Sequence, residues 1–507
     1  MNFCITLFRL ASVLIFSFSA NIKSVGGYND YNNNTNIEKF NHGLEPRRKL
    51  FTNSEVRSYH LMTQGEFCQD HISYRYRFSC NHQKRVLVIP QNFPVPTLHG
   101  SDKRCYHILE ALRALDHTVA VIPYSRSFNK PGEDDKLLLK QLKVSFFPNY
   151  LVQFKRNTTL TFQNVVNKFK PDVIITWLWF WEMKMNAPDT IIPLIQHLRP
   201  KLKFITFTDD VHSKRERQIA EQFKNKNALD HYMRRSVKML NMEKHVYSSS
   251  DVVVAISSAD RSEIATMDVT DPSKILHVRF IASPWDHASN SPKGNFRLPS
   301  FQSRNQLVFV GNGENPTNIH AMKWYLSSIA PEIEKGIPGV KLVVIGQSWD
   351  SFVEGEVDSK KYMIFKGSLT TEDMNNIIDE CKVFIAPIRA STGINTKNVL
   401  ALNRGIPLVT TPAGAIGMCS RCDNAILINP HDPFEDTKTS SAEDMPLLIG
   451  RDNYDIVRLV KEVYYDEHRW NALSKAGIEH VRRWFGLAEA AQELDNVLNR
   501  AYKIDSE

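Results

Sequence analysis

At 507 residues the chain is too long for one ordinary domain, and 42% hydrophobic with 23% charged residues excludes wholesale disorder and a multi-span membrane protein. Glycine and proline number 21 and 24, which excludes collagen-like and low-complexity classes. The balance of 63 basic against 55 acidic side chains leaves a net charge of +8 without a dense Lys/Arg block, so no nucleic-acid partner is expected.

The chain opens MNFCITLFR and continues LASVLIFSFSA. Arg9, the apolar core from Leu10 to Phe18 and the small residues Ser19 and Ala20 have the layout of a secretory signal peptide over residues 1–20. The apolar run falls short of the about 20 residues that a membrane span needs. An uncleaved type II anchor, with Arg9 reaching the interface, is the alternative, and it would bring membrane association. Residues 21–84 are rich in asparagine (Asn32, Asn33, Asn34, Asn36, Asn41) and poor in aliphatic periodicity, so they read as a stem. Asn33-Asn34-Thr35 and Asn157-Thr158-Thr159 match the N-glycosylation pattern, in keeping with a luminal or secreted address. Cys68 and Cys80 can close a disulfide in an oxidising lumen. Cys419-Ser-Arg-Cys422 has no second pair at zinc spacing, so it reads as a disulfide or two plain thiols.

From residue 85 onward short β-branched runs alternate with amphipathic helices. RVLVIP (85–90), TVAVIP (118–123), VIITW (173–177), FITFT (204–208) and VVVAI (252–256) read as buried strands. Cys105, Ile108, Leu109 and Leu112 fall on one helical face between the first two. A second series follows: LVFV (307–310), LVVI (342–345), MIF (363–365), VFIA (383–386), LVT (408–410) and AILI (425–428). Strands that are apolar throughout belong to parallel sheets covered by helices on both faces. The polar stretch 284–306 reads as a linker, giving two doubly wound α/β domains, 85–283 and 307–484, that face one cleft. A charge-rich helix is expected from Lys214 to Lys244, a surface loop over 430–453, and a C-terminal helix within 485–507, near 487–503.

The most informative segment is APIRASTGINTKNVLALNRGIPLVTTPAGAIGM (386–418). A strand ends at Ala386, the turn Ser391-Thr392-Gly393 follows, and a helix begins near Asn395 or Thr396, with Asn395 as N-cap. Gly405 and Pro407 stop that helix. Strand, tight turn and helix start have two readings: an anion site, because free backbone N–H groups and the helix dipole face the ligand, or one more βα connection of the sheet. Gly393 admits a phosphate close to the backbone, and Lys397 or Arg389 adds charge.

Pro387-Ile388-Arg389, Thr392-Gly393-Ile394, Lys397 and Gly405-Ile406-Pro407-Leu408-Val409-Thr410-Thr411, with Gly414 and Gly417, resemble the donor segment of retaining "group 1" glycosyltransferases of the GT-B fold. Three further pieces agree in order. Residues 86–122 resemble the family's first strand, glycine loop and first helix, with Gly100 and Arg104 in place. FTDDVHSKRERQIAE (207–221) resembles its Asp-x-His strand end, and Gly311, Pro316 and Asn318 match the opening of its second domain.

The resemblance implies transfer of a sugar from a nucleotide-sugar donor to a glycan, lipid or protein acceptor, without cofactor or metal. It places donor binding at Gly100, Arg389, Thr392, Gly393, Ile394, Asn395 and Lys397, and catalytic roles at His212, Asp210 and His99. Asp210 has a second reading, as N-cap of the helix that follows it. Trp177, Trp179 and Trp181 read as core beside a strand more readily than as a sugar platform. One departure stands out. Leu400 and Thr392 occupy the two positions where the family carries acids, and leucine accepts no hydrogen bond from a ribose. That departure keeps open an inactive relative serving as a sugar- or protein-binding module, and a nucleotide-sugar epimerase or hydrolase is the other alternative.

Overall fold

Two all-parallel sheets carry the molecule. In the first, β1 (Arg85–Ile89), β2 (Thr118–Val121), β3 (Ser145–Phe146), β4 (Val173–Trp177), β5 (Lys203–Phe207), β6 (Val252–Ala255) and β7 (Ile275–His277) lie in the order β3-β2-β1-β4-β5-β6-β7. Its helices are α1 (Gly100–Ala114), α2 (Glu133–Gln141), α3 (Thr158–Phe169), α4 (His212–Ala220), α5 (Lys226–Ser249) and α6 (Ser258–Ala265). In the second, β8 (Gln306–Val310), β9 (Leu342–Ile345), β10 (Met363–Phe365), β11 (Cys381–Ala386), β12 (Leu408–Thr410) and β13 (Leu448–Ile449) lie in the order β10-β9-β8-β11-β12-β13. With them go α7 (Pro316–Trp324), α8 (Ala330–Gly336), α9 (Asp350–Gly355), α10 (Ser359–Tyr362), α11 (Thr371–Glu380), α12 (Thr396–Asn403), α13 (Asn453–Tyr465) and α14 (Glu467–Trp484), and α15 (Leu487–Lys503) follows. Both orders reverse direction once, between β1 and β4 and between β8 and β11, and ligands of such sheets bind beyond the strand carboxyl ends at that switch.

The computed structural model describes residues 83–94, 100–124, 133–147, 158–177, 192–193, 195–197, 202–221, 225–282, 300–356, 358–419 and 446–503. The leader, all of the stem before residue 83, Asn33, Asn157, His99, Trp179, Trp181, Cys68, Cys80, Cys422 and the strand expected at 425–428 lie outside them. The described residues belong to one unit by contact, Thr52–Glu507, so contacts between the two sheets are part of its structure. No helix among them is long and apolar enough to cross a membrane. Cys419 is disulfide-bonded, and Cys105 and Cys381 are free and buried.

Burial follows the sequence pattern. β4 and β5 are buried at every position, and the α1 face of Cys105, Ile108, Leu109 and Leu112 packs into the first core. Two expectations need correction. The charge-rich stretch is not one helix: α4 and α5 pack against each other, and the Asn225 carboxamide caps the start of α5 by accepting from Asn227 and Ala228 N–H. The stretch 430–453 is not loop throughout, because Leu448 and Ile449 pair with Val409 and Thr410 as β13. The α15 helix buries Ala490, Ala491, Leu494, Val497, Leu498 and Ala501 in the core of the first sheet, although it follows the second in sequence.

The chain therefore crosses between the sheets twice, and the crossings are joined. Ala282 N–H donates to the Phe485 carbonyl at 3.0 Å. Arg279 grips the carboxylate of Glu493 with its guanidinium and its backbone N–H, and its guanidinium lies 4.6 Å from the Trp484 ring.

Candidate functional site

At the switch of the second sheet, β8 ends at Val310 and Gly311 follows. A Cβ at Gly311 would lie 2.7 Å from Asn318 Nδ2, so glycine leaves the space into which Asn318 folds back. There Asn318 Nδ2 donates to the Asn312 carbonyl at 2.9 Å, and its Oδ1 accepts from Lys397 Nζ. Lys397 stands in the first turn of α12, with its ammonium 4.5 Å from the centre of the Phe309 ring. Crowding by these neighbours lowers the Lys397 pKa to about 7, although the residue as a whole is only half-buried. A cation that is cheap to recharge thus sits between the starts of two helices, where backbone N–H groups already favour an anion.

The turn before α12 is tied down from both sides. Gly393 has φ 71°, a left-handed conformation that only glycine adopts freely, and a Cβ there would lie 2.3 Å from the Asp209 carbonyl oxygen of the first sheet. Thr392 Oγ1 donates to the Val211 carbonyl at 3.4 Å, and Gly393 N–H donates to Asp260 Oδ1 at 3.3 Å. Ile394 packs at the edge of the second core. Asn395 holds the N-cap position, but its side chain caps nothing: Nδ2 donates to Ser391 Oγ and the Gly414 carbonyl, which spends the carboxamide on closing the turn. Arg389 is exposed, its guanidinium 5.2 Å from the Trp324 ring. Leu400 packs half-buried against the second core, so the position three residues beyond Lys397 offers apolar surface and no acceptor.

Facing this turn is the exit of β5. Asp209 is clamped there: Arg104 donates to Oδ1, and Trp177 Nε1 donates to Oδ2 at 3.0 Å. Arg104 also donates to the Thr208 and Val278 carbonyls at 3.1 and 3.0 Å, and Trp177 is buried and stacked on Phe207. Asp210 does not cap α4, since Val211 holds that position; its carboxylate pairs with Arg215 instead. Burial outweighs Arg215 and pushes the Asp210 pKa up to about 6. His212 opens α4, is buried, and has Nδ1 4.0 Å from Glu243 Oε1. Burial, helped by Arg215, holds its imidazole well below the ordinary histidine pKa, so it is neutral at pH 7. Glu243 is fully buried, accepts from Ser213 N–H and Oγ, and is pushed up to about 7 by that burial. Gly100 opens α1 beyond the end of β1. Among the described residues no group of three His, Cys, Asp or Glu side chains could hold a metal ion.

The structure thus brings Thr392 and Gly393 against the strand-exit residues 209–211, next to His212. Two participants escape a reading of the sequence alone. Asp209 is one residue from a residue that the sequence does single out. Asp260 shows only the helix-start spacing Ser257-x-x-Asp260, which says nothing of a contact 133 residues away.

Residues 304–438 match the family model described as Glycosyl transferases group 1. Over 351 residues the chain is 23% identical to the "Uncharacterized 44.6 kDa protein in cps region" of Klebsiella pneumoniae, covering 66% of this chain and 84% of that protein. Among solved structures, sucrose-phosphate synthase from Thermosynechococcus elongatus superposes with a TM-score of 0.56 at 13% identity, covering 83% of this chain and 100% of the other. HepE from Anabaena, solved in complex with UDP and glucose, superposes with a TM-score of 0.53 at 12% identity, covering 82% and 100%. The architecture is that of the GT-B fold, two doubly wound domains about a cleft.

Proposed function

We propose that this chain is a glycosyltransferase that takes a sugar from a nucleotide-sugar donor and passes it, with retention at the anomeric carbon, to a glycan, lipid or protein acceptor. The observation that carries the reading is the Lys397 ammonium beside Asn318, at the switch point of the second sheet and inside the stretch that matches the group 1 model. In this reading the donor diphosphate lies on the turn 391–396. Amides of that turn and the Lys397 charge take up the negative charge that grows on the leaving diphosphate, with no metal required. Fixed donors aimed at developing charge contribute most in the transition state. Neutral His212 and the Asp210 carboxylate stand on the facing side, where the acceptor enters. The leader and the glycosylation acceptors fit a reaction in the lumen of the secretory pathway. That a donor complex of HepE contains UDP-glucose supports the donor class.

The test is Lys397→Ala, with calorimetry of UDP, GDP and pyrophosphate at pH 6, below the lysine pKa of about 7, where the wild-type ammonium is charged. Losing that charge-assisted contact should weaken binding by about 1.5–3 kcal/mol. Unchanged affinity for the probe that binds best would move the diphosphate site elsewhere.

A further inference from the structure

The Gly393 N–H, which the proposed function assigns to the donor diphosphate, is already occupied by an anion from the other domain. Asp260 is the third residue of α6 and only 1% exposed. Its two oxygens have different tasks. Oδ2 is held within the helix start by Ser257 Oγ at 2.8 Å, and the same hydroxyl accepts the Asp260 N–H at 3.0 Å. Oδ1 is left to face the second domain and accepts the Gly393 N–H at 3.3 Å. Around this contact Thr392 Oγ1 meets the Val211 carbonyl, and Gly417 stands where a Cβ would lie 3.2 Å from Ser257 Cβ. The donor turn is therefore docked on the first domain through a carboxylate.

We propose that Asp260 is an internal stand-in for the donor: it holds the Gly393 amide in the substrate-free protein and yields it to the donor diphosphate. Donor binding and the Asp260–Gly393 contact then exclude one another. This rests on the reading of the 391–396 turn as the diphosphate site. Two forces act in the same direction. A single N–H cannot give its full hydrogen bond to two anions, and a carboxylate beside a diphosphate adds like-charge repulsion in a site with little water. Asp260 thereby positions the turn and sets a threshold that a ligand must exceed, so weakly bound anions do not loosen the domain contact.

The charge on Asp260 is adjustable. Burial and the neighbouring Asp210 carboxylate push its pKa up to about 7, while the Ser257 and Gly393 hydrogen bonds and the Lys214 ammonium pull it down. Lys214 is itself engaged by Glu263 at 3.0 Å. Above that value Asp260 is an anion and competes; below it the carboxyl is neutral and competition fades. Lys397 titrates near the same pH, gaining charge as pH falls, so the pH profile of the wild type alone does not isolate Asp260. The ratio between the wild type and an Asp260 variant does, because the lysine contribution cancels.

The experiment is Asp260→Asn, which keeps shape and the acceptor oxygen but removes the charge. Calorimetry with pyrophosphate, UDP and GDP is run at pH 8 and pH 5.5 on both proteins, with Lys397→Ala alongside and melting curves to verify the fold. At pH 8 the variant should bind the best of these probes about tenfold more tightly, roughly the effect of removing 1.4 kcal/mol of competition. At pH 5.5 the two affinities should converge. Equal affinities at pH 8, weaker binding by the variant, or a ratio that ignores pH would overturn the proposal while leaving the donor site standing. If Lys397→Ala also changes nothing, or no probe binds either protein, the diphosphate reading itself falls. Should the asparagine variant fail to fold, Asp260→Ser, which is also uncharged, is measured against the same outcomes.

Discussion

Arg104→Leu should lower the folding stability by about 3 kcal/mol, the lower end for a buried ion pair that loses one partner. Arg104 is 1% exposed, and its guanidinium serves three acceptors at once: the Asp209 carboxylate and the Thr208 and Val278 carbonyls. It also faces the Trp177 ring at 5.0 Å. Leucine replaces part of the volume but none of the donors. Asp209 would keep only Trp177 Nε1 and some solvent, which is why the low end of the range applies. A fall in the urea midpoint at constant slope is the readout. Adding Asp209→Asn should recover part of the loss, since the uncompensated charge goes with it. A loss under about 1 kcal/mol would mean that water re-pairs all three acceptors.

The largest effect is expected from the helix that returns to the first sheet. Leu494 is completely buried among residues of the first core. Leu494→Ala should cost about 2–5 kcal/mol, as removal of a buried leucine does elsewhere. Leu494→Asp adds an unpaired buried charge to that loss and should leave the first domain unfolded, since whole-domain stability is only about 5–15 kcal/mol. Limited proteolysis of the aspartate variant should then cut within β1 to β7 while sparing the second domain. If Leu494→Ala changes stability by less than about 1 kcal/mol, α15 merely lies on the surface.

How much of this was legible in the chain depends on whether the signal is local. β4, β9 and β12 have the bounds expected from their apolar runs, because a strand buried on both faces writes itself as an unbroken apolar segment. β10 also has its expected bounds, although it is an edge strand with only Met363 buried. The short edge strands β3, β7 and β13 do not: Ser145–Phe146 and Leu448–Ile449 are two residues each and only partly buried, too brief for any periodicity to show. The position of α15 was readable from its sequence, but its partner was not, since an apolar stripe states that a face is buried and not by what. The candidate site divides in the same way. Lys397, Gly393 and Thr392 announce themselves as turn and helix start, whereas Asp260 reaches Gly393 only because two domains fold against each other. Asn395 shows the limit of cap statistics: the right residue at the right position spends its side chain on Ser391 and Gly414.

The return of α15 also sets an order of events. Tyr502 Oη donates to the Asp172 carbonyl, 330 residues back, so the first domain is finished by contacts of extreme sequence separation. Domains usually complete themselves in the order in which they leave the ribosome. Here the sheet made first cannot cover the apolar side of its α1 and β5 until α15 is synthesised, whereas the second sheet draws on contiguous chain. Such non-local closure is slow, and until it occurs the half-finished core is open to contact with other chains.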